Sequence, residues 1–409
     1  MTRNDPSVFH KIYGTKKPRV VYHKKDFVDY TLMIFLSGLV VLVSYGFHSA
    51  MSRVGLALCA WMLAMFAIRH GIEYTAPLIL RRPQDFVYMF AYKLQNLKSV
   101  YFMALGLLLL ENALIAATPN LPHHVELMRR VALYLFYIHF LFITVYRTVI
   151  LADHLAKKEV VREVLMQTGW KRTVKEKTNI GVEIAHAYCT GVLTHIILIA
   201  PWYLVITYAK FSVICLPLTC VINIILHLKW VRVLNAWFYR DHWLGHNSEL
   251  EFLFLHGPHH DAIPSGLIAV AENGFLEGFL RYTMGFPETF YNPVIAFLTY
   301  TYEITLDIKD HQYIPGVFPR LSRREMEGYQ HSTHHYGPLE PYSLGARELD
   351  DEAAQRTADG KVSAELKKTP KWIPEEFRNS IKLDEELTGF QWDNATYRKT
   401  LSLWDKYQT

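Results

Sequence analysis

The chain has 409 residues, a formal net charge of +5 and 51% apolar residues. Its four cysteines, Cys59, Cys189, Cys215 and Cys220, all sit in apolar stretches and none has CxxC spacing, so neither a disulfide framework nor an iron–sulfur cluster is expected. The modest positive charge calls for no nucleic-acid partner, and basic loops flanking apolar blocks suit anionic lipid headgroups instead.

Residues 1–26 form a polar lead without an apolar h-region, so no cleavable signal peptide is expected. Six apolar blocks follow, at about 27–47, 54–68, 99–117, 131–151, 181–208 and 211–228. Blocks of that length read as membrane-spanning helices; 54–68 is the shortest. The connecting segments alternate sharply in charge. The lead, 69–98 and 152–180 carry 19 lysines and arginines, whereas the alternate loops carry only Arg53, Arg129, Arg130 and Lys210. The positive-inside rule therefore places the N-terminal lead in the cytoplasm, together with the chain that leaves the sixth block. Within 69–98, the stretch 81–98 mixes aromatics with basic ends and reads as an interfacial helix. His186 and His195 fall inside the fifth block, where a histidine is a candidate for lining a substrate path. His70, His123, His124, His139, His154 and His227 receive no assignment.

Residues 229–345 hold the chemistry. Three histidine clusters stand out: His242 and His246 in HWLGH, His256, His259 and His260 in HGPHH, and His331, His334 and His335 in HSTHH. On a helix, positions i and i+4 share a face, so His242 and His246 can reach one metal. Pro258 fits a first helical position, with His259 and His260 in the first turn. Two further apolar stretches, about 264–284 and 290–306, separate the second cluster from the third. Keeping all clusters on one side requires an even number of crossings there, by two spans or by a re-entrant pair. Glu303, Asp307 and His311 follow one another at four-residue steps, on one helical face. His311 is a further candidate ligand. The two carboxylates are candidates for ligands, for partners that orient a ligating imidazole, or for a solvated face. The clusters supply eight imidazoles and His311 a ninth. That is more than one ion of four to six ligands needs, so two metals are expected. Imidazole alone does not choose among iron, copper, zinc and nickel. Residues 346–409 read as a charged cytoplasmic tail.

The order HxxxH, HxxHH, a lone downstream histidine and HxxHH resembles the fatty acid hydroxylase/sterol desaturase superfamily of membrane di-iron enzymes. The flanking text agrees: NAWFYRDHWLGH is similar to that family's aromatic lead into its first box, and LEFLFLHGPHHDA to its second. The resemblance covers about residues 230–345. It implies two iron ions held by His242, His246, His256, His259, His260, His311, His331, His334 and His335, with O2 as co-substrate. No haem-binding segment, cysteine cluster or GxGxxG motif supplies electrons within the chain, so a separate reductase, ferredoxin or cytochrome is expected. The expectation is an all-α integral membrane protein of about six transmembrane helices plus a second apolar helix pair, carrying a cytoplasmic histidine-box module. Its expected activity is hydroxylation of a lipid or other hydrophobic substrate. Alternatives are desaturation on the same scaffold, or a non-catalytic membrane protein that binds or transports metal. Transport would put ligands midway along spanning helices, whereas these clusters follow the helices.

Overall fold

A computed structural model describes two nearly continuous stretches, 121–167 and 293–325, and scattered positions near 25, 60, 78, 106–117, 180–192, 217–221 and 406. Three helices organise them: α1, Leu121–Ala156; α2, Lys158–Gln167; and α3, Pro293–Asp310. One short parallel pairing, β1 (Lys25–Asp26) with β2 (Leu78–Ile79), joins the polar lead to the segment before 81–98. Nothing in the sequence pattern announces it.

α1 outruns its apolar block at both ends. Leucine, isoleucine, valine and aromatic side chains from Val131 to Ala152 contain a single charge, Arg147. At 1.5 Å per residue that segment is about 33 Å long, close to the thickness of a bilayer's hydrocarbon layer. Glu126–Ala156 is the one helical stretch among the described residues that is long and apolar enough to cross a membrane.

The two sides of α1 differ in an unusual sense. Leu127, Tyr134, Ile138, Leu141, Val145 and Val149 recur at helical steps and are 43–62% exposed. The opposite stripe, Phe136, His139, Ile143, Arg147, Ile150 and His154, is buried. A helix packed in water turns its charges outward and its aliphatics inward. α1 instead leaves a row of large apolar side chains exposed and buries His139, Arg147 and His154 among Phe136, Ile143 and Ile150.

α3 packs along the buried side of α1. His139 Nδ1 lies 2.9 Å from Thr301 Oγ1, and its ring meets Phe297 edge-on with centroids 6.1 Å apart. Beyond the helix, Phe318 meets the Tyr146 ring at 5.4 Å, and its amide donates to Asp153 Oδ2 at 2.7 Å. Lys157 Nζ donates to the Gly316 carbonyl at 2.5 Å and pairs with Asp153 Oδ1 at 2.9 Å. His139 meets the first half of α3, whereas Tyr146, Asp153 and Lys157, further along α1, meet the turn that follows α3. The two helices therefore run in the same direction, and their C-terminal ends lie together.

The chain leaving α3 is knotted by Gln312. This buried amide donates to the carbonyls of Val317 (3.0 Å) and Pro319 (3.2 Å) and accepts from the Ile314 amide (3.0 Å). Gly316 turns the chain at a φ of +69°, where a side chain would be strained. Ser322 and Glu325 then cap each other: the Glu325 amide donates to Ser322 Oγ at 3.2 Å, and the Ser322 amide donates to Glu325 Oε2 at 2.8 Å. Residues 324 and 325 are helical, as this reciprocal capping requires.

Candidate metal-ligand pair at the end of α3

Three carboxylates, Glu303, Asp307 and Asp310, fall in the last turns of α3 with His311 directly after them, and Asp307, Asp310 and His311 are buried. The helix continues far enough for the His311 amide to donate to the Asp307 carbonyl at 3.1 Å. The imidazole folds back over the same turn. Its Nδ1 lies 2.6 Å from the Asp307 carbonyl and 3.2 Å from Asp307 Oδ1. Both neighbours are acceptors, so Nδ1 carries the proton in the neutral ring. Nε2 is then the nitrogen with the lone pair, the tautomer that a metal-ligating histidine needs.

The Asp307 carboxylate has a second feature. Its Oδ2 is buried and, among the described residues, meets no hydrogen-bond donor. A buried carboxylate oxygen without a donor is costly unless a cation offsets its charge. The Asp307 oxygen that meets no donor among the described residues fits a cation nearby, and the His311 ring beside it has the tautomer of a ligating imidazole. No group of three or more histidine, cysteine or acidic residues able to hold a metal occurs among the described residues. His242, His246, His256, His259, His260, His331, His334 and His335 lie outside those residues, as does the side chain of Glu303. His186 and His195 lie outside them too.

Two histidines without an assignment from sequence prove to be buried in α1. His139 is held by Thr301, as described above. His154 Nδ1 lies 2.9 Å from the Ile150 carbonyl, so it repeats the Nδ1–H geometry of His311 one helix away. Among the described residues no donor reaches His154 Nε2. The signal that could have found them is their spacing: 139, 143, 147, 150 and 154 mark one helical stripe within a strongly apolar block. Arg147 lies on the same stripe and is fully buried.

Comparison with protein-family models, with curated proteins and with solved structures finds no match.

Proposed function

We propose that the chain is an integral membrane di-iron oxygenase that hydroxylates a lipid or another hydrophobic substrate. The observation that carries this reading is the clustering of eight histidines in three ligand-spaced boxes, with His311 as a ninth placed beside a buried aspartate. Supporting it, α1 presents aliphatics outward and Arg147, His139 and His154 inward, the polarity that a helix takes when lipid is its solvent.

His242, His246, His256, His259, His260, His311, His331, His334 and His335 would hold the two irons. Bound iron supplies activation of O2 and removal of hydrogen from an unactivated C–H bond. Overall, one C–H, one O2, two electrons and two protons give one C–OH and one water. The electrons come from a separate redox protein. Asp307 holds the His311 ring in one tautomer through its carbonyl, and its carboxylate offsets part of the metal charge. The apolar outer face of α1 keeps the site within reach of acyl chains and keeps water away from it.

Metal analysis and lipid mass spectrometry test the reading together. The purified chain should contain about two irons, as expected when nine imidazoles exceed the coordination of one ion. Lipids from cells that express it should show a product heavier by one oxygen. A product lighter by two hydrogens would mean desaturation instead. One tightly bound zinc with no lipid change would identify a structural metal protein and defeat the proposal.

A further inference from the structure

The segment carrying Lys406 and Tyr407 is far in sequence from α2 and from the turn after α3, yet it reaches both. Lys406 Nζ pairs with Glu163 Oε1 of α2 at 2.8 Å. The Tyr407 hydroxyl donates to the other oxygen of the same carboxylate. The Lys406 ammonium also lies 4.7 Å from the Tyr407 ring centroid, which keeps the two side chains folded together. On its far side Tyr407 backs onto the Gly316 turn: a methyl built at Gly316 would fall 2.7 Å from the Tyr407 carbonyl oxygen. Gly316 is therefore the residue that lets two backbones approach.

We propose that the Lys406–Tyr407 segment is a strap that closes over the Gly316 turn and sets the path of the chain leaving His311. The turn is gripped from two sides. Lys157 and Asp153 at the end of α1 hold Gly316 and Phe318 from one side. Glu163, through Tyr407, holds it from the other. Gln312, next to His311, is bonded to Val317 and Pro319 within the same turn. Movement of the strap thus reaches His311 through a short series of contacts. The grip of the strap is light, because the side chains of Lys406 and Glu163 are 56% and 35% exposed and water and salt weaken such a pair. A light grip on a turn that is otherwise fixed by α1 is what a releasable fastening needs. Glu163 is held below the ordinary glutamate range by Lys406 and then Tyr407, in keeping with that contact.

Amide hydrogen exchange on the full chain in lipid nanodiscs tests this without reference to metal or activity. Deleting residues 406–409 should speed exchange across 314–321 by about tenfold while leaving 139–150 unchanged, as expected for opening of one local unit. Glu163→Gln and 0.5 M salt should each give a smaller change of the same pattern. Lys406→Ala, at an exposed position, serves as a second variant that cannot disturb a core. Unchanged exchange across 314–321 in both the deletion and Lys406→Ala would overturn the proposal. So would acceleration spread equally over α1, because the segment would then stabilise the whole protein and not this turn. Because iron content is not read, failure here is separate from failure of the oxygenase reading.

Discussion

One proton fixes the chemistry open to His311. The imidazole gives its Nδ1–H to two acceptors of the same residue, and the carbonyl at 2.6 Å is much the closer; the carboxylate oxygen is at 3.2 Å. The tautomer is therefore secured mainly by the backbone, which no side-chain substitution removes. On the proposed di-iron reading, Asp307→Asn should keep the ring in place and retain most of the iron. Its turnover should fall towards the mild end of the 10–100-fold loss typical of groups that orient a ligand. His311→Ala should lose iron strongly, measured by metal analysis of the purified variant. Equal iron content and rate in Asp307→Asn and wild type would reduce the carboxylate to a bystander. The pairing of Asp307 with His311 could be read from their four-residue spacing, because both partners lie on one helix. The role of His139 could not. Its partner, Thr301, is 162 residues away, and nothing local marks the pair. Thr301→Val keeps the shape and deletes the hydroxyl, so it should cost about 0.5–1 kcal/mol in a detergent-unfolding titration, the usual value of one polar contact between helices in a membrane.

At the scale of elements, the turn between α3 and the helix that starts at 324 carries most of the specified geometry. Ser322 heads that helix, and Ser322→Ala should destabilise its first turn by about 1 kcal/mol. The readout is faster exchange at Glu325 and its neighbours. Glu325 also supplies a pH test. The Ser322 amide holds its carboxylate below the ordinary glutamate range, as Lys406 does for Glu163. A carboxylate whose folded pKa is depressed adds stability above its unfolded value and loses it as pH falls through the folded one. Both the cap and the strap should therefore hold at neutral pH and loosen on acidification through the glutamate range. Protection of 314–325, corrected for intrinsic exchange, that stays flat from about pH 5 down to about pH 2.5 would contradict this. Ser322-x-x-Glu325 is a sequence signature and was open to inspection. The Gly316 turn was not, because its shape answers to Tyr407, a residue 91 positions later. The apolar block 131–151 was legible as a helix from composition alone. The burial of His139, Arg147 and His154 along α1 was only half legible, since spacing reveals the stripe but not which side is covered.

For the whole molecule, the basic-loop asymmetry and the packing of α1 on α3 give independent statements about sidedness. Glu159 on α2 and Arg320 after α3 flank the contact of Lys157 with Gly316. Cysteines placed at these two positions should react with an impermeant reagent from the same side of sealed vesicles. On the proposed topology that side is cytoplasmic, and a cysteine at Glu249 should label from it as well. Labelling of positions 159 and 320 from opposite sides would contradict the observed packing itself. If both helices cross the bilayer, as on the proposed topology, the shared direction of α1 and α3 imposes a rule of parity. A thread that pierces a cloth twice in the same direction must come back through it between those stitches an odd number of times. Between Ala156 and Pro293 the chain offers three apolar blocks, at 181–208, 211–228 and 264–284, which is an odd number. On the proposed topology, with 264–284 and α3 as a pair of spans and not a re-entrant pair, all three must cross for His311 to lie on the same side as the end of α1.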